Sequence, residues 1–115
     1  MLRQRTINGP VHAIGIGVHS GAKVRMSLRP AQAGSGIQFV RSDLEGLNSV
    51  RACAESVSDT ALSTTISQGP INVATVEHLM SALWGLGIDN LVIELSSEEV
   101  PIMDGSAAPF VDMIN

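Results

Sequence analysis

The sequence predicts an α+β domain built mainly from antiparallel strands, and three observations carry the prediction. In KVRMSLRP, Val24, Met26 and Leu28 alternate with Lys23, Arg25, Ser27 and Arg29, the period of a strand with one buried and one wet face. From residue 75 the period changes: Val76, Leu79, Met80 and Leu83 recur at i, i+3, i+4 and i+7, the buried stripe of an α-helix. LVIEL, residues 91–95, is a nearly continuous apolar run, as expected of a strand buried on both faces or central in a sheet.

The remaining elements follow in order. VHAIGIGV, residues 11–18, is an aliphatic strand, and HSGAK after it reads as a turn because Gly21 takes positive φ at little cost. The second strand ends at Pro30. GIQFV, following AQAGSG, is a third strand, so residues 1–41 are expected to form an antiparallel meander. Residues 42–73, with the polar run SVSDTALSTTIS, read as short β-rich excursions, since Thr and Val favour extended chain. Thr75 is the expected N-cap of the helix, with Gly85 and Gly87 as its stop. In VPIMDGSAAPFVDMIN, Ser106 caps a second helix with Pro109 in its first turn, where a missing N–H does no harm. Phe110, Met113 and Ile114 form its apolar face. The run to Asn115 makes barely two turns and has no cap glycine, so the expectation is a cut inside or just after a helix of a longer chain.

The 115 residues show no composition break, internal repeat or linker, and at 44% hydrophobic and 16% charged they describe one globular domain. With 3% aromatics and no Tyr, the core must be aliphatic. A net charge of -4 with seven Lys and Arg excludes a general nucleic-acid surface, which needs clustered cations to neutralise phosphates. Cys53 is the single cysteine, so no intramolecular disulfide forms; it reads as a small buried hydrophobe in a reducing compartment. MLRQRTINGP lacks a signal-peptide apolar core, and no apolar run is long enough to span a bilayer. The expected location is the cytoplasm.

Glu77 and His78 stand at the head of the helix in TVEHLMSALWGLGIDN. Each residue turns a helix by ~100°, which puts this pair off the apolar stripe. One turn on, Ser81, Ala82 and Gly85 leave a low-relief shelf suited to a contact face. A Glu beside a His suits metal-assisted hydrolysis, the imidazole binding Zn²⁺ and the carboxylate taking a proton from water. Neither H-E-x-x-H nor H-x-x-E-H is present, because Ala74 stands where the inverted motif needs its first His. The plainer reading is that Glu77 meets the positive end of the helix and His78 is a polar surface residue. Catalytic zinc takes about three protein ligands, whereas the chain has three histidines, and His12 and His19 are distant in sequence from His78. Either there is no metal, or residues outside this chain complete the site. His19 reads as a turn residue, Asp59, Thr60 and Ser63 as part of an edge-strand segment, and Asp104 and Gly105 as shaping the turn into the second helix.

Taken together, QRT near the start, GIGVHSG, SDTALST, TVEHLMSALWGLGIDN and VPIMDGSAAPFV resemble the amino-terminal half of the UDP-3-O-acyl-N-acetylglucosamine deacetylases of lipid A biosynthesis. The resemblance spans essentially the whole chain. It implies a zinc-dependent amidase removing acetate from the 2-amino group of a UDP-sugar acylated at its 3-hydroxyl, in the cytoplasm of Gram-negative bacteria. It also implies a fold: a sheet with two helices on one face, like domain 2 of ribosomal protein S5, forming one half of a two-domain β-α-α-β sandwich. Residues 1–115 would be the N-terminal domain, with the shelf turned to a second catalytic domain absent from this chain.

By the same resemblance Glu77 is the general base and His78 a zinc ligand. The other ligands, a His and an Asp, come from the second domain, with a His acting as acid and a Lys at the oxyanion. The DTALS run resembles a small insert bordering the active site, making Thr60, Leu62 and Ser63 substrate contacts, although many relatives carry Cys where this chain has Ser63. His19 matches a histidine near the substrate cleft. The isolated chain is then expected to be inactive. The competing expectation is a non-catalytic module of the same fold that binds a nucleotide or a protein.

Overall fold

A computed structural model describes residues 5–17, 21, 23–45, 48–52, 57–59, 64–68 and 71–101, with backbone only at 57–59. In chain order the elements are β1 (Val11–Ile16), β2 (Lys23–Pro30), β3 (Ile37–Arg41), β4 (Ser49–Arg51), β5 (Val57–Asp59), β6 (Thr65–Gln68), β7 (Ile71–Ala74), α1 (Glu77–Leu86) and β8 (Leu91–Leu95). The fold is α+β and mainly antiparallel, with one helix among the described residues. The second helix expected from Ser106 onward lies outside them.

Five strands form a sheet in the order β1-β2-β8-β3-β4, and β5-β6-β7 form a smaller one. Every pair is antiparallel except β3 with β8. The meander expected over residues 1–41 is therefore corrected. β1 and β2 make the hairpin, but β3 does not follow β2 in space, because β8 inserts between them. The aliphatic Leu91–Leu95 segment takes the central place, where both edges are paired; β3 reaches it in parallel, a pairing that requires a long crossover, and α1 lies within that crossover.

The predicted alternation holds in β2, where Val24, Met26 and Leu28 are 0–1% exposed. Registers align Leu28 with Ile93, Ile93 with Phe39 and Phe39 with Val50, an apolar row across four strands. β8 alternates too: Leu91, Ile93 and Leu95 are buried while Val92 and Glu94 are half-buried, so the strand is central rather than buried on both faces. The stripe of α1, Val76, Leu79, Met80 and Leu83, joins the same core as β2, β3 and β8. Burying each such side chain favours folding by roughly 1.5–3 kcal/mol.

The opposite face of the sheet carries Lys23, Arg25 and Arg29, with Arg29 paired to Glu94. Between the two sheets, Arg41 Nη1 donates to the Asn72 carbonyl at 3.2 Å while Nε and Nη2 grip Asp43 at 2.9 and 2.6 Å. α1 ends as expected at Gly87, left-handed at φ 71°, whose N–H bonds the carbonyls of Leu83 and Trp84. Gly85 lies inside the helix rather than ending it.

Candidate functional site

The head of α1 departs from the expected cap. Thr75 is not the N-cap: it lies one residue outside, at φ 61°, and Val76 takes that position in right-handed conformation with no side-chain cap. The Thr75 hydroxyl is engaged elsewhere, donating to Glu99 Oε2 at 3.0 Å in a buried contact. Its backbone is also left-handed, not in the β region that an N-cap typically adopts.

Glu77 and His78 occupy the first turn, both half-buried. The Thr64 backbone N–H donates to Glu77 Oε2 at 3.1 Å, and the Thr64 carbonyl accepts from Val76 N–H at 3.2 Å. Two bonds thus fasten Thr64, the next residue in sequence after Ser63, to the head of the helix. A carboxylate here sits favourably at the positive end of α1. Sequence reasoning missed Thr64 and Glu99, whose links to the helix head run through tertiary contacts, and read Thr75 as a cap because its bond to Glu99 is equally non-local.

The shelf beyond the pair is partly corrected. Ser81 and Gly85 are exposed, but Ala82 is 1% exposed and belongs to the core. Trp84, 71% exposed, stands on the outer side instead. It borders a groove of about 500 Å³ with Met80, Ile88, Arg51 and Asp89, along the C-terminal half of the helix and away from Glu77 and His78.

Of the other candidates, Thr60, Leu62, Ser63, His19 and Cys53 lie outside the described residues, as do Asp104 and Ser106. His12 is described, and its Nδ1 is 2.8 Å from Ser27 Oγ. Both sit on the sheet face opposite Val24, Met26 and Leu28, which pack in the core with α1. His12 is thus separated from His78 by the thickness of the sheet. Among the described residues no three His, Cys, Asp or Glu side chains group as metal ligands. The donors at the helix head, one imidazole and an adjacent carboxylate, fit one ligand and one base of a catalytic zinc site, whose set of about three protein ligands they do not complete.

An α+β chain with a mainly antiparallel sheet and an acid–imidazole pair at the head of its helix defines the class. Comparison with known proteins then gives the family: residues 4–115 match the family model described as UDP-3-O-acyl N-acetylglycosamine deacetylase, and the chain belongs to that family. It is similar to the UDP-3-O-acyl-N-acetylglucosamine deacetylases of Chromohalobacter salexigens (57% identical), Marinobacter nauticus (55%) and Teredinibacter turnerae (54%), over 114 residues in each case. Those matches cover 99% of this chain and 38% of each relative. Among the described residues no helix is long and apolar enough to cross a membrane.

Proposed function

We propose that this chain is the N-terminal domain of a zinc-dependent amidase hydrolysing the acetamide of UDP-3-O-acyl-N-acetylglucosamine in the cytoplasm, and that it supplies half of a split active site. A second catalytic domain, outside residues 1–115, supplies the rest. The unit is one half of a β-α-α-β sandwich of the S5 domain 2 type, its second helix beginning near Ser106. The exposed side of α1, with Ser81, Trp84 and Gly85, faces the second domain.

In this reading His78 is one of three protein ligands to Zn²⁺ and Glu77 is the general base. Zinc, when bound, supplies Lewis acidity that favours attack of water on an amide carbonyl near neutral pH. The chain's own residues orient and move the proton. With Glu77 Oε2 engaged by the Thr64 amide, Oε1 is the oxygen assigned to take a proton from the attacking water. Water adds to the acetamide carbon as Glu77 takes its proton, the C–N bond breaks as the acid of the second domain protonates the nitrogen, and acetate and the free amine leave. His78, one residue on, is rotated ~100° about the helix axis from Glu77. Thr60, Leu62 and Ser63, just before Thr64 in sequence, contact the substrate with His19.

The observation carrying this reading is the bond from Thr64 to Glu77 Oε2, which ties the run bearing the expected substrate contacts to the carboxylate next to His78. The test is Glu77→Ala and His78→Ala in the full-length protein, with zinc content and acetate release measured on the UDP-sugar. Loss of turnover in the first and of zinc in the second supports the reading. Unchanged turnover with lost partner binding would instead indicate a non-catalytic module.

A further inference from the structure

We infer that Glu99 is a positioning residue for the Glu77–His78 pair, acting through the backbone of Thr75; the inference rests on the reading of that pair proposed above. Thr75 is the one non-glycine residue with positive φ among those described, at 61°. For a β-branched side chain this is a true outlier. Such a conformation persists only where its surroundings over-determine it, and here they hold it from three directions.

Before Thr75, Ala74 bridges in parallel to Glu99: its N–H donates to the Glu98 carbonyl at 2.7 Å and its carbonyl accepts from Val100 N–H at 3.0 Å. After it, Val76 N–H is held by the Thr64 carbonyl at 3.2 Å. At Thr75 itself the hydroxyl donates to Glu99 Oε2 at 3.0 Å, with Thr75 3% and Glu99 2% exposed. α1 has no side-chain cap, so the direction in which its first turn leaves β7 is set by this left-handed residue. Glu77 and His78 are the second and third residues after Thr75, and a change of φ there swings both together.

Burying a carboxylate costs far more than burying an apolar side chain of similar volume. What Glu99 contributes is therefore direction: an acceptor fixed at the one torsion that aims the first turn of α1. In the proposed reaction it touches neither water nor substrate, and its bond to the Thr75 hydroxyl is the link to the pair.

The test uses the full-length protein with Glu99→Leu, Glu99→Gln, Thr75→Val and Thr75→Ser, reading turnover of the UDP-sugar and, separately, hydrogen exchange of the Thr64 amide. Glu99→Leu and Thr75→Val are expected to lower kcat by about 10- to 100-fold with little change in KM, the scale of a small misplacement of catalytic groups. In both, the Thr64 amide should exchange about tenfold faster while the amides of Phe39 and Ile93 in the sheet keep their protection. Glu99→Gln and Thr75→Ser, which keep an acceptor and a hydroxyl, should restore most of both readouts. A folded Glu99→Leu protein with wild-type kcat and Thr64 protection overturns the inference. If Glu99→Leu does not fold, wild-type kcat and exchange in Thr75→Val overturn it instead. Absence of turnover in the unsubstituted protein would strike the proposed function, while the exchange measurement would still judge the positioning role.

Discussion

The Thr64 amide donates to Glu77 Oε2 at 3.1 Å, across thirteen residues of sequence, and this bond fixes one oxygen of the carboxylate. Glu77→Gln keeps an oxygen able to accept from Thr64 but cannot take a proton. The expected outcome in the full-length protein is a kcat lower by about 10²–10⁴, the usual worth of a general base, with the thermal midpoint unchanged. Glu77→Ala should lose the same activity and also the exchange protection of the Thr64 amide. Retention of kcat by Glu77→Gln would remove Glu77 from the role of base.

Elements decided by local periodicity were legible in the sequence. Val24, Met26 and Leu28 declare their buried face by a period of two, the stripe from Val76 to Leu83 by a period near 3.6, and Gly87 ends α1 because it can take positive φ cheaply. What stayed hidden depends on partners distant in the chain. No local signal says that Leu91–Leu95 will separate β2 from β3. Thr75 has the composition of a cap, yet its left-handed backbone puts it one residue outside the helix, with its hydroxyl on an acceptor 24 residues later. The same holds at the site: Glu77 and His78 announced themselves as a polar pair off the apolar stripe, whereas the amide that orients Glu77 did not.

Arg41 and Asp43 make the acid side of stability testable. The hydrogen bonds from Arg41 are the main reason the Asp43 carboxyl sits below its ordinary value of 3.8; partial burial opposes them, and the Arg41 charge and a backbone hydrogen bond add to them. A depressed carboxyl stabilises the fold above its unfolded value and loses that contribution as the pH falls through the folded one. Asp43→Asn should therefore lower stability at neutral pH by about 0.2–1 kcal/mol, a figure limited by solvent screening of this partly exposed pair. The gap to the unsubstituted protein should close as the pH drops below 3.8. Denaturant titrations at several pH values check this, and a gap that widens in acid would refute it.

Two glycines should respond in opposite directions to alanine. Gly36 has φ 73°, and an added Cβ would lie 2.8 Å from Arg51 Nε. The arginine head is on an exposed, flexible side chain and can move, so the cost comes mainly from the backbone, about 1–2 kcal/mol. Gly85 lies in α1 with open space around its Cβ position, and Gly85→Ala should stabilise the chain by roughly 0.5–1 kcal/mol through helix propensity. Thermal or denaturant unfolding of the two variants measures both signs.

A buried amide offers a third stability test. Asn90, 3% exposed, accepts from Gly36 N–H through Oδ1 at 2.9 Å, just where the turn before β3 meets the start of β8. Asn90→Ala leaves that N–H without its acceptor and should cost about 1–3 kcal/mol. Asn90→Asp keeps the acceptor and should retain more of the stability. If Asn90→Ala unfolds at the same denaturant concentration as the unsubstituted chain, the turn is held by other contacts.

The split-site reading also predicts what the 115-residue chain does by itself. With His78 as its one proposed zinc ligand, affinity should be weak, because a site needs about three protein donors and metal affinity follows the completeness of the donor set. Calorimetry with Zn²⁺ should show no tight one-to-one binding, and His78→Ala should barely change the trace. Acetate release from the UDP-sugar should stay at background until the remainder of the protein is supplied. Adding that remainder as a separate polypeptide should restore zinc binding and turnover together, and Glu77→Ala in this chain should abolish only the turnover. Tight zinc binding or near-full activity in the isolated chain would mean that the site is complete within these residues.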